Sequence, residues 1–321
     1  VTDLSVVIPL FNEAESLPEL CEWIDRVTGS NGYCYEMICI DDGSTDTSWE
    51  VISKLRATND RIKAVRFNRN YGKSAALQTG FGLAQGKVVI TMDADLQDSP
   101  NEIPDLYNMI VNDGYDLVSG WKKKRHDPIT KTIPSRFFNL VTRILSGIRL
   151  HDFNCGLKAY KRTVAQNLIV YGELHRYIPL IAKWQGFNRI GEKVVSHQKR
   201  KYGKTKFGLE RFIFGFLDLL TITFVSRFRK RPMHFFGTFG VLSFLFGLIA
   251  AGWLIWQKID AIYFSMIPVK REVVDQPLFF ISLVAIIIGV QLFLSGFLAE
   301  LLATQHNGKK EYLIIDKLGI E

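Results

Sequence analysis

Val88-Val89-Ile90-Thr91-Met92-Asp93-Ala94-Asp95-Leu96-Gln97-Asp98 is the stretch whose reading decides the fold. It begins as a short, almost unbroken β-branched and apolar run, the pattern of a strand buried on both faces of a parallel sheet. It ends in carboxylates at alternate positions. With Val88 to Met92 as the strand, Asp93 and Asp95 lie just past its carboxyl end, where open α/β sheets place their ligand crevice. On an extended segment, positions i, i+2 and i+4 face one way, so Asp93, Asp95 and Gln97 share a side. Two carboxylates and an amide oxygen are hard ligands suited to Mg2+ or Mn2+, which bind through one or two carboxylates together with substrate phosphates. An Asp-x-Asp pair alone is a common turn feature, so the surrounding chain must carry the reading.

Upstream, Leu4 to Leu10 reads as a first buried strand, ended by Pro9, and Asn12 can cap a helix running to about Val27. Tyr35 to Ile40 is a second strand, closing on Asp41-Asp42-Gly43-Ser44-Thr45-Asp46 and followed by a helix from Ser48 to Thr58. Asp46 reads as a helix-capping residue. A third strand covers Ile62 to Phe67, and Asn70-Tyr71-Gly72-Lys73-Ser74 opens a helix from Ala75 to Ala84 that Gly86 ends. Past the central stretch come a helix from about Asn101 to Asn112 and a strand from Tyr115 to Ser119. Strands alternating with helices predict an α/β fold with a doubly wound, mostly parallel sheet. Gly80 to Lys87 resembles a phosphate loop at a glance. A Walker motif needs Gly at 81 and Ser or Thr at 88, where Phe81 and Val88 stand, and a dinucleotide fingerprint needs Gly at 85.

The second half of the 321-residue chain differs in kind. Met233 to Trp256 carries one basic group, His234, and Pro277 to Ala299 carries no charge. Each exceeds the roughly 20 apolar residues that cross a bilayer. Before them, Phe207 to Arg229 alternates apolar and basic residues at helical spacing, as an interfacial helix on anionic lipid does. The net charge of +8 points to an anionic partner, and clustering of the basic residues beside the membrane argues against nucleic acid. Val1 to Ser5 shows no leader pattern, and the basic residues before the first span (Arg227, Arg229, Lys230, Arg231) predict both termini on the cytoplasmic side. Four cysteines without metal-like spacing read as reduced thiols. The organisation expected is a cytosolic domain over residues 1–206, a juxtamembrane region over 207–231, two transmembrane helices within 232–302 and a cytosolic tail over 303–321. In that tail, Glu311 to Asp316 looks like a strand able to pair with a neighbouring protomer, so a homo-oligomer is expected.

Three motifs together resemble glycosyltransferase family 2: Val7-Ile8-Pro9-Leu10-Phe11-Asn12-Glu13, Asp41 to Asp46, and Asp93 to Asp98. Asn68 to Lys73, Asp152-Phe153-Asn154-Cys155-Gly156 and Arg200 to Lys206 narrow the likeness to the polyprenyl-phosphate glycosyltransferases, as do the two C-terminal spans. The resemblance implies a GT-A fold, a nucleotide-sugar donor and inverting transfer to a lipid phosphate, with a divalent metal bridging the donor diphosphate. Carried over by motif, Pro9, Phe11, Glu13, Asp41, Asp42, Lys73, Asp93, Ala94 and Asp95 would surround the donor. Asp93, Asp95 and Gln97 would meet Mg2+ or Mn2+, Arg200 and Lys204 would cover the phosphates, and Lys131 and Ser135 would hold the acceptor phosphate.

That acceptor is a phosphate monoester, largely a dianion at neutral pH by analogy with phosphorylated side chains, so a strong general base is not required. Asp152 is therefore left with three possible roles: base, acceptor-orienting group or loop support. Lys122 to Arg125 reads as a solvated or lipid-facing loop, His151 and His197 as structural, and Arg200 to Lys206 as binding phosphate, membrane or both. UDP-glucose is the donor expected from the two-span architecture. A processive polysaccharide synthase would need a Gln-x-x-Arg-Trp element and further spans that the sequence lacks, and a non-catalytic adaptor need not keep Asp93, Asp95 and Gln97 intact.

Overall fold

A computed structural model describes residues 2–123, 139–144, 146–198, 201–202, 232–264 and 272–305. The chain divides into two compact units, Val1–Leu219 and Leu220–Glu321. In chain order the first unit holds β1 (Leu4–Leu10), α1 (Leu17–Ser30), β2 (Tyr35–Asp41), α2 (Ser48–Thr58), β3 (Ile62–Arg66), α3 (Lys73–Leu83), β4 (Val88–Thr91), α4 (Ile103–Val111), β5 (Leu117–Trp121), β6 (Lys158–Lys161), α5 (Arg162–Asn167), α6 (Ile178–Trp184) and β7 (Ile190–Val194). The seven strands form one sheet in the order β3-β2-β1-β4-β6-β5-β7. Only β6 runs antiparallel to its neighbours, β4 and β5. The expected mostly parallel GT-A-like sheet is thus present, with helices on both faces.

Alternation along β1 divides the core in two. Leu4, Val6 and Ile8 pack with Leu17, Leu20, Ile24, Ile103 and Leu106 on one face, and Val7 packs with Ala76, Leu77, Phe81 and Val164 on the other. Because β1 lies between β2 and β4, the winding reverses there, and the crevice opens at the carboxyl ends of these three strands.

Pro9 does not end β1. The Val7 carbonyl accepts from Met92 N–H on the β4 side and the Leu10 carbonyl from Asp42 N–H on the β2 side, so alternate residues bond to opposite neighbours. Pro9 shares the parity of Val7. Its missing N–H therefore falls on the β4 side, beyond the last register pair Val7↔Thr91, and breaks no ladder bond. Asn12 does not cap α1, which begins after Ser16. It adopts φ +55 and clasps the neighbouring loop instead, its Oδ1 accepting from Thr45 N–H at 2.8 Å. The fifth strand starts two residues later than expected, because Tyr115 N–H still closes the turn after α4 on the Met109 carbonyl at 3.1 Å.

The edge of the sheet opposite the crevice is pinned by Glu36, buried at the second position of β2. It accepts from Ser5 Oγ at 2.5 Å and Gln85 N–H at 2.8 Å, and pairs with Lys63 Nζ at 2.6 Å. Burial pushes this carboxyl up, but the Lys63 and Ser5 hydrogen bonds and the Gln85 N–H outweigh it and hold it below the usual range.

The second unit contains α7 (Pro232–Ile259), continued by a π-helical turn to Phe264, and α8 (Pro277–Gln305). Both are long and apolar enough to cross a membrane. Their contact runs through glycines: a Cβ on Gly289 would lie 2.7 Å from the Gly240 carbonyl, and one on Gly240 would lie 2.8 Å from the Gly289 carbonyl. Ser243 Oγ–H donates to the Ala285 carbonyl at 2.8 Å across the same seam. All four cysteines are free. The expected interfacial helix over 207–229 and the tail strand over 311–316 lie outside the described residues.

Two outcomes are expected. Glu36→Ala strands the buried Ser5 hydroxyl proton, leaves Gln85 N–H with only its 3.2 Å bond to Ser5 Oγ, and should cost about 1–3 kcal/mol, read as a lower thermal midpoint of the full chain in detergent. Because the folded carboxyl is held low, its contribution is complete above the unfolded value of about 4.3 and is lost as pH falls through the folded value. The gap between wild type and variant should therefore narrow on acidification below that value. Gly289→Leu should force α7 and α8 apart and lower the midpoint by an amount equivalent to about 1–3 kcal/mol of overpacking, whereas exposed Ile249→Leu should not.

Candidate active site

Three loops build the crevice rim: those after β2 and β4, and the loop that leads into antiparallel β6. After β2, Asp41 is fully buried and its Oδ1 accepts from Ser44 N–H at 2.9 Å, with Arg66 Nε 3.5 Å from Oδ2. Its side chain is engaged inside the loop. Asp42 reaches across to the turn before α3, accepting from Tyr71 N–H at 2.7 Å and Gly72 N–H at 2.9 Å. Burial pushes its carboxyl up; the two amides oppose this, and nearby Asp41 adds to it. Gly43 sits at φ +71 with the Arg69 backbone where a Cβ would stand, so only glycine fits the approach of these loops.

The turn held by Asp42 aims Lys73, the first residue of α3, at the end of β4, where its ammonium pairs with Asp93 Oδ1. Burial works against an ionised Asp93, but Lys73, with smaller contributions from Lys122 and Lys158, overrides it and lowers the carboxyl to about 2. Asp93 is ionised throughout the physiological range. Beyond it, Asp93, Asp95 and Gln97 are partly exposed while Met92, Ala94, Leu96 and Asp98 are buried, the alternation expected of the stretch. The backbone is not extended throughout. Leu96 takes φ +58, and Gln97 N–H turns back to Asp95 Oδ1 at 3.2 Å.

The third loop, residues 152–156, closes against the same carboxylate. Thr91 Oγ1–H donates to the Gly156 carbonyl at 2.8 Å, and a Cβ on Gly156 would fall 2.6 Å from Asp93 Cγ. Asp152 is buried; its Oδ1 accepts from Asn154 N–H at 3.0 Å, and its own N–H donates to Glu192 Oε1 at 3.0 Å. Cys155 is a buried thiol pushed up to about 12, chiefly by burial, and so no nucleophile. His151 stacks on Trp121 with ring centroids 4.0 Å apart and pairs with Glu192 at 2.7 Å.

Of the expected donor residues, Pro9 and Ala94 are buried, and Phe11 and Glu13 are partly exposed on the loop clasped to 44–48. Arg200, Lys204, Lys131 and Ser135 lie outside the described residues. Lys122 corrects the expectation of a solvated loop: it is largely buried, with Nζ 2.7 Å from Asp98 Oδ1. Sequence reading also missed Gly156 against Asp93, and the pairing of 97–98 with 197–198. A lysine directly after a strand and an aspartate next to a ligand motif look like surface residues until the tertiary contact is known.

The residues fit a divalent cation. Asp93, which pairs with Lys73, Asp95 and Gln97 are each partly exposed in the loop after β4, and among the described residues no group of three His, Cys, Asp or Glu side chains could hold an ion unaided. That donor set suits Mg2+ or Mn2+ arriving with a diphosphate that completes the shell.

Comparison with known proteins agrees with this architecture. Residues 5–169 match the model of glycosyl transferase family 2. The dodecaprenyl-phosphate galacturonate synthase of Rhizobium johnstonii is 34% identical over 304 residues, 94% of this chain and 88% of that protein. The undecaprenyl-phosphate 4-deoxy-4-formamido-L-arabinose transferase of Pseudomonas fluorescens is 40% identical over 220 residues, 68% of this chain and 64% of the relative. Among solved structures, glucosyl-3-phosphoglycerate synthase from Mycobacterium tuberculosis, in complex with Mn2+, UDP and phosphoglyceric acid, superposes with a TM-score of 0.52 at 20% identity, over 70% of this chain and 78% of that one, a likeness of fold. With strand-end carboxylates on a GT-A-like sheet, a family model matching residues 5–169 and a polyprenyl-phosphate sugar transferase as a relative along nearly its whole length, the chain belongs to glycosyltransferase family 2.

Proposed function

We propose that the chain transfers a sugar from a nucleotide-sugar to a polyprenyl phosphate at the cytoplasmic face of a membrane. The observation that carries this reading is the presence, in one chain, of the Asp93/Asp95/Gln97 rim beside Lys73 and of two bilayer-length apolar helices. The relatives' names support the lipid-phosphate acceptor. They name galacturonate and formamido-arabinose, so UDP-glucose stands as one donor among several to be tried.

In the proposed reaction an oxygen of the acceptor phosphate attacks the anomeric carbon. The bond from that carbon to the donor diphosphate breaks, and the nucleoside diphosphate leaves with its electron pair. Asp95 and Gln97, with Asp93, would hold Mg2+ or Mn2+ against the diphosphate, and the ion would neutralise the charge that grows on the leaving group. Lys73 adds a fixed positive charge on the same edge. The phosphate dianion is already nucleophilic, and buried Asp152 binds the backbone of its own loop; both support loop-holding over base catalysis for this residue.

The test is transfer of radiolabel to undecaprenyl phosphate by the detergent-purified full chain, from UDP-glucose, UDP-galacturonate, UDP-linked 4-deoxy-4-formamido-L-arabinose and GDP-mannose, with Mn2+ or Mg2+. Chelation should abolish transfer, and Asp95→Ala should lower it at least ~100-fold without moving the thermal midpoint. Absence of label in the lipid with every donor would sink the reading. Gly156→Ala should crowd Asp93 and slow turnover about 10–100-fold, as a displacement near 1 Å at a reacting centre does. An unchanged rate would remove the 152–156 loop from the site.

A further inference from the structure

The loop after β4 has an inner row as well as an outer one. Two inner residues, Ala94 and Leu96, are apolar; the third, Asp98, is a carboxylate with no exposed side-chain surface. A carboxylate in that position is costly unless a cation meets it. Lys122, one residue past β5, does so at 2.7 Å, with its own side chain 15% exposed. Burial alone would push the Lys122 ammonium down, and Asp98 reverses this. His197, also buried, places Nδ1 4.0 Å from the same Asp98 oxygen.

The backbone repeats the connection. Asp98 and His197 form an antiparallel bridge, Gln198 N–H donates to the Gln97 carbonyl at 2.8 Å, and Val195 N–H donates to the Trp121 carbonyl at 3.1 Å. Gln97 is therefore held at its own carbonyl by Gln198 and, one residue on, through the Asp98 carboxylate by Lys122. The segments that follow β4, β5 and β7 meet at this one buried pair.

An apolar residue at each of positions 98 and 122 would be about as stable, because a buried ion pair commonly gains little over well-packed hydrophobic neighbours. What an apolar contact lacks is a fixed point of attachment. A side chain packed by area alone tolerates sliding, whereas an ion pair at 2.7 Å fixes one atom of the loop against one atom of the next strand's end. We propose that Lys122 is a positioning residue of the transfer reaction. By neutralising Asp98 beneath the rim, it fixes the register of the loop Asp93 to Asp98, so that Asp95 and Gln97 present their oxygens together to a metal-bound diphosphate. This inference rests on the functional reading above.

The experiment is calorimetric binding of UDP and of GDP to the full chain in detergent, each with and without Mn2+. Wild type should bind one of them more tightly with Mn2+; if it binds neither, the functional reading itself fails, before any variant is considered. Lys122→Met should weaken the Mn2+-dependent gain about 10–100-fold, the usual effect of losing a group that orients metal ligands, while leaving metal-free binding nearly unchanged. Lys122→Arg should keep the gain. The double variant Asp98→Leu/Lys122→Met should recover the thermal midpoint but not the metal response, and it alone decides if Lys122→Met is too unstable to purify. A full metal response in Lys122→Met, or its return in the double variant, would show that the pair only stabilises the fold and overturn the proposal.

Discussion

Gathering carboxylates from neighbouring strand ends onto one rim is electrostatically unfavourable, and the Lys73–Asp93 pair is the interaction that makes the arrangement hold. Lys73 reaches Asp93 because Asp42 binds the two amides just before it, so one acidic residue places the cation that another needs. The same compensation recurs along this edge, with Arg66 at Asp41 and Lys122 at Asp98. Asp93 stays ionised beside its lysine, which cancels much of the negative charge the carboxylates bring to this end of the sheet.

The two edges of the sheet divide structure from chemistry. At the rear, Glu36 ties the starts of β1, β2 and β3 to the turn before β4, and Gly86 lets that turn lie directly on the Leu4–Ser5 backbone. At the front the strands end in loops tied to one another by side-chain oxygens: Asn12 to Thr45, Ser48 Oγ to Glu13 N–H, Asp42 to the α3 turn. A rigid sheet with ordered loops at one end is a scaffold on which reacting groups can be held within the tolerances that transfer chemistry demands.

The helical hairpin solves a different problem. Its outward residues, among them Phe239, Leu242, Ile249 and Leu298, are apolar and exposed on helices long and apolar enough to cross a membrane, and in lipid apolar burial would not bring such helices together. Close backbone approach at Gly240, Gly247 and Gly289, with the Ser243 bond to the Ala285 carbonyl, supplies the contact by van der Waals packing instead.

Local chemistry made much of this protein legible from its sequence. The β-branched runs, the helix from Ser48 to Thr58, the apolar spans, and the alternation of partly exposed Asp93, Asp95 and Gln97 with buried Ala94, Leu96 and Asp98 follow from periodicity and length, which depend on neighbours a few residues apart. Tertiary structure alone decided the strand order, with antiparallel β6 inserted between β4 and β5, since register between strands is set by whole faces packing together. It also decided which charges are structural. Asp41 and Asp42 are adjacent and chemically identical, yet one is sealed inside its loop and the other anchors α3. Lys122 read as a surface residue and is buried because Asp98, 24 positions earlier in the chain, waits in the core for it. Such pairings depend on the meeting of distant strand ends, and no local pattern encodes them.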